Sequence, residues 1–179
     1  MQPAIFLDRD ETLTVDKGYT YKISEFQWKT GAPEALKLFK EAGLPLFIVT
    51  NQGGIALGYV TEADMHAFHA HLQAEAAKFD VEFTDIAFCP HHPDAEDSKK
   101  DKPCTCRKPE PGLLFALAEK WDIDLSSSVM IGDRQSDIGA GQNAGCAAYF
   151  DCDFAADRPT IADQAAYIIQ KHFPDRMTP

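Results

Sequence analysis

Along the chain, short apolar runs rich in β-branched and aromatic residues alternate with longer stretches in which apolar positions recur every three or four residues. The short runs predict strands at 4–8 (AIFLD), 44–50 (LPLFIVT), 85–89 (DIAFC), 128–133 (SVMIGD) and 146–150 (CAAYF). The longer stretches predict helices at 32–43, 61–79, 109–121, 135–145 and 160–173. Pro33 stands in the first turn of the first helix, Gly43 stops it, and Thr61 caps the second. This alternation marks a parallel sheet covered by helices, so the expected fold is α/β: a doubly wound, Rossmann-like sheet with helices on both faces. No internal repeat interrupts it, and a single domain over 1–179 is expected.

Composition fits such a fold, with 45% hydrophobic and 25% charged residues. No apolar run approaches the roughly 20 residues that cross a bilayer. The opening MQPAIFLDRD carries no basic stretch, long apolar segment or cleavage site. A cytoplasmic protein without a membrane partner is the expectation. A net charge of −11 argues against a nucleic-acid partner, because cations dominate phosphate-backbone binding. A small anionic substrate stays compatible where positive charge is local, and five of the 17 basic residues lie within 99–108: Lys99, Lys100, Lys102, Arg107 and Lys108. A solvated charge run accounts for the first three.

Doubly wound sheets bind ligands beyond the carboxyl ends of their strands. Polar residues gather there: Asp8 and Asp10 after the first strand, Thr50 and Asn51 at the second, Asp133 at the fourth. Asp8, Asp10 and Glu11 put three carboxylates within four residues, an arrangement that repels itself unless a cation is bound. Oxygen-only ligands suit Mg²⁺ and a phosphate-bearing substrate. Taken alone, Asp8 and Asp10 are equally a polar strand end solvated by water.

A second cluster has different chemistry. Cys89 and His91 form Cys-x-His, and after a 12-residue loop Cys104 and Cys106 form Cys-x-Cys. Three thiolates and an imidazole suit tetrahedral Zn²⁺ in a structural site. A disulfide is the rival reading, disfavoured in a reducing cytoplasm and awkward within Cys-x-Cys. His92 is the alternative to His91 as ligand. His66, His69 and His71 read as surface or boundary residues of the second helix. Cys146 reads as a buried small apolar residue and Cys152 as a loop thiol.

LDRDETL (7–13), VTNQ (49–52), RKPEPG (107–112) and IGDRQSD (131–137), in this order, resemble the four motifs of the haloacid-dehalogenase-like phosphohydrolases and together cover most of the chain. The resemblance implies that Asp8 attacks phosphorus to form an aspartyl-phosphate, and that Asp10 is the acid and then the base. Thr12 completes the first motif. Thr50 and Asn51 would donate to the phosphoryl oxygens, and Lys108 would neutralise charge on the phosphoryl group and Asp8. Mg²⁺ would be held by Asp8, Asp133 and, through its main-chain carbonyl, Asp10, with Asp137 behind them. The roles suit the residue types: a carboxylate nucleophile divides hydrolysis into two displacements, and a second carboxyl moves the proton. Glu11 departs from the family, which has glycine there.

Within the family, DRDETLTVDKGY, TNQGGIALG and the zinc loop at 89–106 resemble the D-glycero-D-manno-heptose 1,7-bisphosphate phosphatases, which serve bacterial surface-glycan synthesis. The histidinol-phosphate phosphatases share the zinc set with a shorter loop. The resemblance implies a minimal cap and a sugar-phosphate substrate gripped by Arg107; a monomer is the separate expectation. Gly53 and Leu57 stand where Ser and Arg are expected from relatives. Two other classes use similar parts: a zinc-stabilised binding module, and a phosphoacceptor like the response regulators. Neither needs the four motifs together with the zinc loop.

Overall fold

A computed structural model describes residues 1–95 and 104–176. Among these residues five strands and five α-helices alternate: β1 (Ile5–Leu7), α1 (Ala32–Glu41), β2 (Leu46–Asn51), α2 (Glu62–Ala77), β3 (Asp85–Cys89), α3 (Gly112–Trp121), β4 (Val129–Gly132), α4 (Gln135–Ala144), β5 (Ala147–Phe150) and α5 (Ile161–His172). All pairings are parallel, in the order β3-β2-β1-β4-β5. Ile5 lies opposite Leu46 on one side and Val129 on the other. Each expected strand and helix is present, with ends shifted by up to three residues, nearly all of them inward.

Alternation along the strands divides the core. Ile5, Leu7, Ile48 and Ile131 face α1 and α5, whose Leu36, Phe39, Ala165 and Ile168 are buried against them. Phe6, Phe47, Val49 and Met130 face the other way, toward Leu114 and Leu117 of α3 and Ala140 of α4. The three central strands, β1, β2 and β4, are therefore buried on both faces, as in a parallel sheet covered by helices, while the edge strands β3 and β5 are partly buried. Local signals set the ends: Pro33 lies in the first turn of α1, and Thr61 and Thr160 form capping boxes with Asp64 and Asp163.

After β3 the chain crosses back to the far side of β1, so β1 and β4 mark the point where the winding reverses. Loops leaving their carboxyl ends diverge there and leave a crevice. Residues of 8–19, 50–53, 107–108 and 134–137 line it, with His92.

Candidate active site

The crevice is a cleft of about 400 Å³ whose lining includes Asp8, Asp10, Thr50, Asn51, Arg107 and Lys108. Arg134, Tyr19, Gly53 and His92 are among its other wall residues.

At its base Asp8 continues the β1 ladder, its N–H donating to Ile131 O at 2.9 Å. Lys108 arrives from the loop before α3 with its side chain only 1% exposed. Its Nζ donates to Asp8 Oδ1 at 2.7 Å, to Val49 O at 2.8 Å, and meets Asp137 Oδ1 at 2.6 Å. Burial opposes the charge on Lys108, but the Asp8 and Asp137 carboxylates outweigh it and its pKa is raised. Asn51 fixes the approach by a reciprocal pair: Lys108 N donates to its Oδ1 at 3.0 Å, and its Nδ2 donates to Lys108 O at 3.1 Å. The Asn51 amide is thus engaged largely with backbone, leaving one N–H for a ligand. Thr50 is buried, and its hydroxyl accepts from Gln52 Nε2 at 2.8 Å.

Asp8, Asp133 and Asp137 each offer a carboxylate oxygen within 4.8 Å of the others. Asp137 can come so close because residue 132 is glycine: a Cβ there would lie 2.3 to 2.4 Å from Asp137 side-chain atoms. Asp137 Oδ2 also accepts from Arg134 N at 2.9 Å and so caps α4. Asp133 Oδ1 is one of two buried side-chain oxygens without a hydrogen-bond partner among the described residues, the other being Thr12 Oγ1. Burial, with Asp8 and Asp137 beside it, pushes the Asp133 carboxyl up to about 6. Burial likewise raises Asp8, against the pull of Lys108. An acceptor without a donor beside mutually repelling carboxylates fits a hard divalent cation. The Asp10 carboxylate is not part of that group; it is paired with Arg9 and Gln52.

Cys89, His91, Cys104 and Cys106 meet as a second group, again within 4.8 Å. Four of the spacings are 3.4 Å (Cys89 Sγ to His91 Nδ1), 3.7 Å (Cys89 to Cys104), 3.1 Å (Cys89 to Cys106) and 3.3 Å (His91 to Cys106). Zn–S bonds of about 2.3 Å put tetrahedral edges near roughly 3.7 Å, so these donors fit zinc. All five cysteines are free thiols. His91, not His92, belongs to the group; His92 lies over Gly53, where a Cβ would come within 2.7 Å of its Cδ2. Arg107 Nη1 donates to His91 O at 2.8 Å, tying the cleft's arginine to this loop. Lys99, Lys100 and Lys102 lie outside the described residues.

Glu11 occupies a left-handed turn, φ 60°, a conformation that glycine adopts more readily. Its side chain turns from the cleft: Oε1 accepts from Asp16 N at 2.6 Å and Oε2 lies 3.6 Å from Lys29 Nζ, which also bonds the Glu11 carbonyl.

One sequence reading needs correction. His69 is buried, not a boundary residue, and accepts from Arg9 Nη1 at 3.0 Å. Burial, with Arg9 beside it, lowers its pKa to about 3. The helical period could have shown this, since Met65, Phe68, Leu72 and Ala76 on the same face of α2 are all buried. Arg9 and Gln52 were also missed. Their signal was position alone, between or beside motif residues.

The chain is similar to known proteins over most of its length. A family model described as haloacid-dehalogenase (HAD) hydrolase-like matches residues 105–150. D-glycero-β-D-manno-heptose-1,7-bisphosphate 7-phosphatase of Photorhabdus laumondii is 41% identical over 138 residues, covering 77% of this chain and 73% of its own. The corresponding α-anomer phosphatase of the same organism is 37% identical, over 78% of this chain and 76% of its own. The D,D-heptose 1,7-bisphosphate phosphatase of B. bronchiseptica, solved with magnesium and phosphate, superposes with a TM-score of 0.79 at 28% identity, covering 95% of this chain and 99% of that one. The chain belongs to the haloacid-dehalogenase-like phosphatases.

Proposed function

We propose that the protein removes the 7-phosphate of D-glycero-D-manno-heptose 1,7-bisphosphate through an aspartyl-phosphate on Asp8. The observation that carries the reading is the convergence of Lys108, Asp133 and Asp137 on Asp8 at the floor of the cleft. Lys108 engages Asp8 Oδ1, which leaves Oδ2 for phosphorus. Oδ2 displaces the sugar oxygen, and Asp10 gives that oxygen its proton. Asp10 then takes a proton from the water that attacks phosphorus, phosphate departs, and Asp8 is free again.

Asp8, Asp133 and the main-chain carbonyl of Asp10 would hold Mg²⁺, with Asp137 fixing Lys108 behind them. Bound there, Mg²⁺ offsets the negative charge of the phosphoryl group. Thr50 and the remaining Asn51 N–H supply donors for phosphoryl oxygens, and Arg107 supplies a cation beside them. Tyr19 presents an aromatic wall to the cleft and packs over Gly54. Cys89, His91, Cys104 and Cys106 would bind structural Zn²⁺, fixing the segment that delivers Arg107 and Lys108. The phosphatases named for both heptose anomers support the substrate class.

The test is phosphate release, with Mg²⁺, from both anomers of heptose 1,7-bisphosphate and from histidinol phosphate. Preference for a heptose bisphosphate by at least tenfold in kcat/KM is expected. A preference for histidinol phosphate would overturn the substrate assignment and leave the mechanism standing.

A further inference from the structure

Arg9 is among the largest side chains fully removed from solvent, and no step above uses it. Its guanidinium meets Asp10 in a two-point fork, Nε to Oδ1 at 2.8 Å and Nη2 to Oδ2 at 2.9 Å. Nη2 also donates to Gln52 Oε1 at 3.1 Å and to Thr20 O at 3.2 Å. Gln52 returns to the same carboxylate, its Nε2 donating to Asp10 Oδ2 at 2.8 Å. The outer nitrogen, Nη1, reaches across to α2 and finds His69 Nε2 at 3.0 Å, while the ring of Phe68 lies 4.9 Å from the guanidinium carbon.

A guanidinium has no acceptor, so His69 Nε2 must accept, which fixes the ring as the neutral tautomer protonated on Nδ1. His69 sits on a helix face otherwise filled by Met65, Phe68, Leu72 and Ala76, and a neutral polar ring on such a face needs its partner. Only this bond links α2 to the Arg9 guanidinium through a polar atom among the described residues.

We propose that His69 is a positioning residue for the reaction: by holding Arg9 it fixes the plane of the Asp10 carboxylate. The inference rests on the reading of Asp10 as acid and base. Without an acceptor at position 69, Nη1 is a buried donor with no partner. The guanidinium turns to recover one, and because the fork is rigid, Asp10 turns with it. A displacement of about 1 Å at a proton-transferring group is enough to cost up to about a hundredfold in rate.

The experiment compares His69→Phe, which keeps the ring volume without an acceptor, and His69→Gln, which keeps an acceptor. Asp10→Asn serves as reference. Phosphate release from D-glycero-β-D-manno-heptose 1,7-bisphosphate, or from histidinol phosphate should that be the preferred substrate, gives kcat and KM separately, alongside Tm. His69→Phe is expected to lower kcat roughly 10- to 100-fold with KM within about twofold, and His69→Gln to recover most of it. Added to Asp10→Asn, His69→Phe should cause no further loss. Should His69→Phe not fold, His69→Met replaces it, since a flexible thioether fills irregular space. Normal kcat in the Phe variant, equal losses in the Phe and Gln variants, or losses that multiply with Asp10→Asn would each overturn the positioning role. Asp10→Asn turning over like the wild type would overturn the acid-base reading itself, and the positioning role with it.

Discussion

Lys108→Met probes the floor of the site most deeply, because the lysine is the only basic side chain paired with both Asp8 and Asp137 among the described residues. Methionine keeps the length and removes the charge together with bonds to Asp8, Asp137 and Val49 O. Removing one partner from a buried ion pair costs about 3–5 kcal/mol, mostly through the charge left behind. At roughly 2–4 °C per kcal/mol for a chain of this size, Tm should fall by about 6–20 °C in metal-free buffer at pH 7.5. Mg²⁺ at a hundred times its Kd returns about 2.7 kcal/mol to the wild type. The variant should recover at least that, because its carboxylates lack their other counter-charge. At pH 5 the deficit should shrink, since Asp133, near 6, takes up its proton. Phosphate release should drop at least about a hundredfold at both pH values with Mg²⁺ restored. Thermal melts with and without Mg²⁺, beside steady-state kinetics, provide the assay. A variant as stable as the wild type without metal, with no pH dependence of the difference, would refute the electrostatic picture of the site.

Three further outcomes are expected. Because the folded Asp133 carboxyl holds its proton more tightly than the ordinary value of 3.8, metal-free stability should fall as pH rises from about 4 to about 6 and flatten above, while the Tm gain from Mg²⁺ grows over the same window. A Tm gain independent of pH would place the ion elsewhere. Glu11→Gly relieves a left-handed turn but loses the Asp16 bond and the Lys29 pair, so stability should change by no more than about 1 kcal/mol and kcat by less than about threefold; a tenfold change in kcat would bring Glu11 into the chemistry. Cys104→Ser should abolish a near-stoichiometric zinc content and lower kcat, because Cys106 immediately precedes Arg107 and Lys108. Metal analysis of the reduced protein checks this, and full activity without zinc would separate the loop from the site.

The strands and helices were legible because apolar periodicity decides them, and the parallel topology followed from their order. Asp8, Asp10 and Asp133 were legible as candidates from their place at the strand ends, whereas Lys108, on the loop before α3, was reached only through the motif resemblance. The Cys and His set was legible from donor type and spacing. Arg9 and Gln52 were not, because a polar residue flanking a motif reads as solvated until its burial is known. His69 was misread as a boundary position although its helix face was apolar, because a histidine among hydrophobic residues announces neither its partner nor its protonation. The engagement of Asn51 with the Lys108 backbone also lay beyond the sequence, since it joins residues 57 positions apart through geometry alone.

The most direct test of the central claim is a rapid acid quench during turnover of heptose 1,7-bisphosphate with Mg²⁺, followed by mass analysis of the peptide that contains Asp8. A phosphoryl group on Asp8, lost in Asp8→Asn together with all phosphate release, is the expected result. Turnover with no phosphorylated enzyme at any quench time, or with the phosphoryl group on another residue, would contradict the account.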